Sequence, residues 1–495
     1  MSNRQIPSCK SLLIVLFSLA VQSIFILAGG SGTRAQSAET LSHVRTVYVG
    51  SFGPGDAANQ LREATIKQLR KNGRLELVAA PNEADAIING SGSIWLIGYV
   101  STDPRSPAAA RQPVFRGFLS GEVTGKDNEP LWSYLVTPSE FRLGSITQNL
   151  AEQFVAKLIE ALDQEREKVP ASPITERSGE VNLNGAGATF PAPLYQKWFE
   201  SFQRRNPKVH VTYSAVGSDA GLQRLADGET DFAASDVPLS SERMPESKPS
   251  LRQFATVVGA VVPIYNLSGV DRNLNFTGET LAEIYLGKIK NWNDPRIGVS
   301  NRSTHLPSSQ IAVIHRSDGS GTSFVWTDYL SKVSPEWKAR VGAGTVVNWP
   351  VGAGAEGSEA VATLVQQTTN SIGYVELVYA LRHQLSFGAV RNSEGQFVQA
   401  DLASVTAAVK GAAGAVTPDF RVSITNAPGK GAYPIATFTW WLLPGELGGA
   451  EKKPAFLELL QWMLTSGQNE CSALGYLPLP REIASRELQV LTKLR

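Results

Sequence analysis

The sequence predicts an α/β protein in which a small α+β domain precedes a larger α/β domain. Residues 181–495 alternate apolar strands with helical patterns, which is typical of α/β architecture. Residues 43–168 carry several strand patterns and two helical patterns of their own. A charged and then proline-rich stretch between the two has the composition of a linker, which we place at residues 169–180. A chain of 495 residues is also too long for one ordinary core.

The composition is that of a globular protein without a strong electrostatic field. Hydrophobic residues make up 42% of the chain and charged residues 18%, and the net charge is +1. A chain so nearly neutral offers no broad basic surface to nucleic acid, so we predict no nucleic-acid partner. Any anion site must therefore arise from local geometry.

The first 36 residues have the pattern of an export signal. Arg4 and Lys10 precede an apolar run over residues 12–28, and small residues follow it. Cleavage is expected near Ala35 or Ser37, and an uncleaved anchor helix is the alternative because the run is just long enough to span a bilayer. Cys9 lies in this signal, so the mature protein would keep Cys471 as a single thiol without an internal disulfide.

The small domain is predicted from seven segments of regular pattern, and its role and partner are unknown from the sequence. Strands are expected at Val44–Gly50, Ala86–Gly90, Ser93–Gly98, Gly117–Val123 and Pro130–Val136, the last two forming a hairpin across Lys126–Glu129. Helices are expected at Asn59–Arg70 and Ile146–Leu162, where apolar residues recur at helical spacing.

The larger domain is predicted to contain largely parallel sheets flanked by helices. Strands are expected at Val209–Tyr213 and Gln310–Ile314, and helices at Pro193–Arg205, Gly221–Ala226, Ser323–Leu330 and Glu359–Thr368.

Two separate segments of this domain combine glycine, hydroxyl side chains and a helix start. They are Gly185–Pro193 (GAGATFPAP) and Arg316–Ser323 (RSDGSGTS). Glycine allows a close approach of the backbone, and free N–H groups at a helix start attract anions. Two such segments predict an oxyanion held from both sides. A turn capped by Thr189, and an ion pair with an N-cap at the second segment, are the structural alternatives.

Individual side chains at these and neighbouring strand ends are candidates for ligand contacts. Arg316 offers a planar set of donors that matches an oxyanion, and Asp318 could hold it in place. Ser320, Gly321 and Thr322 would supply N–H and O–H donors at the following helix start. Ser218 could be a helix cap or a ligand hydroxyl. Asp236 would repel an anion unless that anion carries a proton to donate.

The sequence offers little support for catalysis or for a metal cofactor. The five histidines show no metal-ligand spacing, and no carboxylate–histidine cluster of a two-metal phosphatase is visible. We therefore predict no enzyme activity, no metal site and no cofactor.

The motifs resemble those of the periplasmic phosphate-binding proteins that serve phosphate ABC importers. The resemblance rests on the two glycine-rich segments and on GSDAG at 217–221, DFAASD at 231–236, LGKIKNWND at 286–294 and GYLPLP at 475–480. It implies a two-lobed clamshell of type II, with lobe 1 at about 181–258 plus 391–495 and lobe 2 at about 259–390. The implied phosphate ligands are Thr189, Phe190 through its N–H, Ser218, Asp236, Arg316, Ser320, Gly321 and Thr322, with Asp318 orienting Arg316.

What the resemblance implies for function is a periplasmic receptor. It would bind inorganic phosphate outside the inner membrane and deliver it to the membrane permease of an ABC importer. A secreted phosphatase, or an envelope phosphate sensor on the same fold, is the alternative. The small N-terminal domain is not part of the usual family architecture.

Overall fold

The computed structural model describes residues 40–101, 111–125, 128–138, 143–163, 179–239, 251–267, 269–270, 273–415, 421–445, 447 and 449–494. The predicted signal and most of the predicted linker lie outside these residues. Residues 39–495 form one compact unit. Among the described residues, no helix combines the length and the apolar character that crossing a membrane requires.

Residues 40–163, here called the N-terminal unit, form a five-stranded sheet covered by two helices. The strand order is β2-β1-β3-β4-β5, parallel at β1 and antiparallel along β3, β4 and β5. The elements are β1 (Thr46–Val49), α1 (Asp56–Asn72), β2 (Glu76–Leu77), β3 (Ala86–Ser101), β4 (Arg111–Gly125), β5 (Pro130–Val136) and α2 (Leu143–Asp163). The apolar faces of both helices and of the sheet meet in a core of their own.

The clamshell, residues 181–494, is organised around a nine-stranded sheet of order β12-β11-β13-β9-β17-β8-β6-β7, with β14 also paired to β9. Its strands are β6 (Val181–Gly187), β7 (Val209–Ala215), β8 (Phe232–Ser235), β9 (Leu251–Asn266), β11 (Ala312–Arg316), β12 (Ala353–Ala355), β13 (Ser371–Glu376), β14 (Ser386–Phe387) and β17 (Ala436–Pro444). A second sheet joins β10 (Asn275–Phe276), β15 (Ala389–Arg391) and β16 (Phe397–Val398).

Helices connect these strands and supply the helix starts on which the predicted site depends. They are α3 (Ala192–Arg205), α4 (Ser218–Ala226), α5 (Gly278–Tyr285), α6 (Pro295–Gly298), α7 (Gly321–Val333), α8 (Pro335–Arg340), α9 (Gly357–Gln367), α10 (Leu377–Arg382), α11 (Leu402–Ala412), α12 (Gly449–Leu464) and α13 (Arg481–Thr492). The prolines at 191 and 193 lie at the start of α3, where the missing N–H costs no helical hydrogen bond.

The prediction of a largely parallel sheet is wrong at the centre of the sheet. The flanks are parallel, since β6 pairs with β7 and β8, and β11 pairs with β12 and β13. The long central strands β9 and β17 run antiparallel to each other and to their outer neighbours β13 and β8. Their continuous apolar runs resemble those of parallel strands because both faces are buried.

Strand β9 joins the two lobes. Its first part, up to Ala260, pairs with β17, and its second part, from Val261, pairs with β13. The predicted lobe boundary at 391 falls inside the small sheet, because β15 and β16 pair next to β10. Beyond it, Lys332 on α7 donates to Thr425 Oγ1 at 2.7 Å, so Thr425 lies against lobe 2. The chain returns to lobe 1 at β17.

Candidate functional site

In lobe 1, the first site residues follow β6 and precede α3. The turn needs Gly187, which has φ of 149° and where a Cβ atom would come within 2.2 Å of the Ala234 carbonyl oxygen. Thr189 and Phe190 come next, and both are buried. The Phe190 ring packs against Tyr476, whose hydroxyl donates to the Phe190 carbonyl at 2.5 Å. The ring and carbonyl of Phe190 thus belong to the core, which leaves its N–H as the group for a ligand.

Ser218 and Asp236 form the second part of the lobe 1 side. Ser218 is the first residue of α4, and its hydroxyl accepts a hydrogen bond from the Asp236 N–H at 3.4 Å. Thr439 on β17 donates to Asp236 Oδ1 at 2.6 Å. Oδ2 is buried and has no partner among the described residues. A buried carboxylate oxygen without a donor is costly, so this atom is suited to meet a ligand proton.

Burial raises the pKa of Asp236 well above its ordinary value. The hydrogen bond from Thr439 lowers the pKa, the nearby charge of Glu376 raises it, and Arg316 lowers it. Burial prevails because a carboxylate removed from water loses its solvation. A bound proton at this site, on the carboxyl or on a ligand, is therefore favoured.

On the lobe 2 side, Arg316 ends β11 and is almost completely buried. Asp318 holds its guanidinium in a two-point pair, accepting from Nε at 2.7 Å and from Nη2 at 2.5 Å. Nη1 faces hydroxyls, at 3.0 Å from Thr189 Oγ1 and 3.1 Å from Ser358 Oγ. Burial alone would lower the pKa of Arg316, but the Asp318 contacts outweigh it and the pKa is raised. The Arg316 contacts likewise outweigh burial at Asp318, whose pKa is lowered.

The start of α7 completes the lobe 2 side. The Ser320 hydroxyl accepts from the Ser323 N–H at 3.1 Å, so it caps the helix. At Gly321, a Cβ atom would lie 2.4 Å from Ser218 Oγ and 2.7 Å from Asp236 Oδ2. Glycine is needed here because the two lobes approach each other closely at this point.

The structure brings most of the predicted residues together across the boundary between the lobes. The contact from Arg316 to Thr189 crosses it, as does the approach of Gly321 to Ser218 and Asp236. Tyr379 of lobe 2 donates to the Thr189 carbonyl at 2.9 Å and so fixes the turn that carries it. At Ser320 the hydroxyl oxygen accepts the helix-cap bond and the N–H donates to the Thr345 carbonyl at 3.1 Å, so the hydroxyl hydrogen is the donor left for a ligand.

Ser358 and Glu376 belong to the same cluster, although neither was predicted. Glu376 Oε1 accepts hydrogen bonds from Thr322 Oγ1 at 2.5 Å and from Ser358 Oγ at 3.2 Å. Burial raises the pKa of Glu376, while the bond from Thr322 and the charge of Arg316 lower it. Gly357 and Ser358, the first two residues of α9, repeat the glycine–hydroxyl pattern of the two predicted segments. Glu376, at the end of a buried strand, has no comparable signal.

The geometry describes a buried cluster of donors together with two carboxyl groups, Asp236 and Glu376, each of which has one buried oxygen without a partner among the described residues. Hydroxyls and main-chain N–H groups come from both lobes, the guanidinium comes from lobe 2, and Asp236 Oδ2 lies close to Gly321, where a Cβ atom would be 2.7 Å from it. Such a set can surround an oxyanion and accept a hydrogen bond from its protonated oxygen. In the described residues, no group of three or more His, Cys, Asp or Glu side chains could hold a metal ion.

A two-lobed fold with a ligand site at the lobe boundary defines the class of extracytoplasmic binding proteins. The model of the PBP superfamily domain matches residues 170–466. The chain is 41% identical to the phosphate-binding protein PstS of Xylella fastidiosa (strain Temecula1) over 315 residues, which cover 63% of this chain and 86% of that protein. It is 40% identical over 305 residues to PstS of Haemophilus influenzae, covering 61% of this chain and 90% of that one. The chain belongs to the PstS family of phosphate-binding proteins within the PBP superfamily.

A solved structure agrees on the fold. The subatomic-resolution structure of a high-affinity periplasmic phosphate-binding protein, PfluDING, bound with phosphate at pH 8.5, superposes with a TM-score of 0.51. The two sequences are 22% identical, and the match covers 63% of this chain and 93% of that one. This confirms the predicted two-lobed clamshell. The N-terminal unit lies outside the family match, which begins at residue 170.

Proposed function

We propose that this protein binds inorganic phosphate outside the inner membrane and delivers it to the membrane permease of a phosphate ABC importer. The PstS relatives are named phosphate-binding proteins, and one solved relative of the fold holds phosphate. Export by a cleaved signal at residues 1–36, and residence in the periplasm, are parts of this proposal. The protein acts as a receptor without turnover of its ligand.

The observation that carries the proposal is that Arg316 and Asp236 lie in the same buried pocket. Arg316 supplies the positive charge that a phosphate oxygen requires, and Asp318 orients it with 2.5 and 2.7 Å contacts. Asp236 Oδ2 is buried with no partner in the described part of the chain. Phosphate at neutral pH keeps at least one proton and can donate it to that oxygen, whereas sulfate has none to donate.

The remaining roles follow from the positions of the donors. We assign the hydroxyls of Thr189 and Ser218 and the N–H groups of Phe190, Gly321 and Thr322 to phosphate oxygens. Ser320 contributes through its hydroxyl hydrogen, because the hydroxyl oxygen accepts the cap bond from Ser323 while the Ser320 N–H donates to the Thr345 carbonyl at 3.1 Å. Ser358 and Glu376 act indirectly, because their hydrogen bonds hold the hydroxyls of Thr189 and Thr322 in place.

Calorimetric titration of the mature chain tests this function. We expect one phosphate bound per chain, arsenate as a competitor, and sulfate bound at least a hundredfold more weakly. The same preparation is incubated with a chromogenic phosphate ester to test the phosphatase alternative. Saturable phosphate binding without turnover supports a receptor, and turnover that is abolished by Asp236→Asn or Ser218→Ala would contradict it.

A further inference from the structure

The N-terminal unit contacts both lobes of the clamshell. On lobe 1 it meets the segment over residues 466–474. Ser120 on β4 donates to the Ala473 carbonyl at 2.6 Å, and Ser133 on β5 accepts from the Ala473 N–H at 3.1 Å. Asn469 donates to the Pro130 carbonyl at 2.9 Å. Main-chain groups on both sides thus take part, which fixes the orientation of the sheet against lobe 1.

Charges and apolar side chains extend the contact with lobe 1. Lys197 on α3 pairs with Glu122 on β4 at 2.9 Å, and Arg205 at the end of α3 pairs with Glu129. Leu135 on β5 is buried in the core of the clamshell rather than in that of the N-terminal unit. The unit is therefore packed onto lobe 1 as an integral layer.

The same sheet also reaches lobe 2. Gln384, just after α10, donates to Ser93 Oγ on β3 at 3.0 Å. The guanidinium of Arg116 on β4 lies over the ring of Phe387 on β14, 5.5 Å from its centroid. Arg116 is buried, and its pKa is lowered by that burial, with Tyr265 on β9 as the titratable neighbour that raises it. Phe387 pairs in the sheet with β9, at the part of the strand that belongs to lobe 2.

A single strand of the N-terminal unit therefore crosses from one lobe to the other. Arg116 and Ser120 are four residues apart on β4, a distance of about 13 Å along an extended strand. The first contacts lobe 2 and the second contacts lobe 1. Because β4 is hydrogen-bonded to β3 and β5 on its two sides, it resists bending. A rotation of the lobes about β9 would have to break one set of these contacts.

In the structure the two lobes are closed on each other, and the contacts of the N-terminal unit with both lobes are present in this closed state. Between the lobes, Thr345 of lobe 2 donates to Asp219 Oδ2 at 2.6 Å, and the Asp219 N–H donates to the Gly319 carbonyl at 3.2 Å. The N-terminal unit thus matches the closed arrangement. Contacts that form in one of two states shift the equilibrium toward that state.

We propose that the N-terminal unit acts as a brace, meaning that it holds the two lobes together across β9. It thereby favours the closed clamshell and slows the release of the bound anion. The effect on release rests on the proposed function, whereas the effect on the lobe arrangement does not. The brace gives the additional domain a role that requires no outside partner.

The test uses spin labels on the full mature chain, at the exposed positions Glu229 of lobe 1 and Lys338 of lobe 2. Distances are measured by double electron–electron resonance without and with phosphate. The variants Gln384→Ala and Arg116→Ala, singly and together, remove the lobe 2 end of the brace. Gln366→Ala is the matched control, because it removes a similar hydrogen bond, to the His383 carbonyl at 2.9 Å, within lobe 2.

We expect the ligand-free distance distribution to broaden toward longer distances in the double variant and in Gln384→Ala, but not in Gln366→Ala. Phosphate release, followed by stopped flow, should be about three- to tenfold faster in the double variant. A distribution unchanged by both Gln384→Ala and the double variant would overturn the brace. If the distribution changes but no chain binds phosphate, the brace stands and the proposed function fails.

Discussion

Replacing Arg316 by alanine removes the cation around which the pocket is built. The guanidinium is buried, and Nη1 lies within 3.1 Å of hydroxyls from both lobes, Thr189 and Ser358. Asp318 takes hydrogens from Nε and Nη2. Of the five N–H donors of an arginine, the two on Nη1 and the second on Nη2 are left for ligand and neighbours.

The expected loss of phosphate affinity follows from this number of N–H donors. Two charge-assisted hydrogen bonds to a bound oxyanion are each worth about 1.5 to 3 kcal/mol, which gives about 3 to 6 kcal/mol for Arg316→Ala. At about 1.4 kcal/mol per factor of ten, phosphate affinity should fall by roughly two to four orders of magnitude. Asp318 keeps one donor, the Gly357 N–H at 3.2 Å, so its carboxylate remains partly satisfied and the fold should persist.

Calorimetric titration with phosphate measures this change, and a thermal melt checks that the variant is folded. Arg302→Ala is the control, because Arg302 is an exposed arginine of lobe 2 outside the pocket. Its affinity should match that of the parent chain. Equal losses in the two variants, or a folded Arg316→Ala chain that binds like the parent, would remove Arg316 from the site.

Three further predictions concern the pocket. Asp236→Asn should stay folded and lose most of its preference for phosphate over sulfate in competition titrations, because the amide offers a donor and no like charge; unchanged selectivity would refute the protonation argument. In the parent chain, the preference for phosphate over sulfate should decrease as the pH is lowered toward the raised pKa of Asp236, because a protonated carboxyl can donate a hydrogen bond to sulfate. An increase in this preference as the pH falls would contradict the prediction. Gly321→Ala should weaken phosphate binding at least tenfold, because its Cβ would lie 2.4 Å from Ser218 Oγ, whereas Gly298→Ala, which meets no atom within 4 Å, should not; equal affinities would show that the lobes need not approach so closely.

The sequence predicted the elements well where local patterns decide them. The helix over 59–70 and the helix after the second glycine-rich segment were found because apolar spacing and capping are local properties. Two strands were expected at 86–90 and 93–98, but the structure has one continuous β3. The small residues Ser91 and Gly92 resemble a break, and the pairing with β4 that carries the strand through them is not a local property.

The site was predictable where chemistry is concentrated in a short segment. Arg316, Asp318 and Thr322 lie within seven residues and could be recognised together. Glu376 enters the pocket only because β13 lies next to β11 in the sheet, a neighbourhood that no local pattern encodes. The raised pKa of Asp236 is also beyond the sequence, since it depends on burial by elements that are distant along the chain.

A crystal structure of the mature chain grown with phosphate would show whether the ligand binds between the lobes. We expect one phosphate between the lobes, with an oxygen within about 3 Å of Arg316 Nη1 and another within hydrogen-bond distance of Asp236 Oδ2. A phosphate bound elsewhere, or a pocket without ligand density at saturating phosphate, would contradict the account.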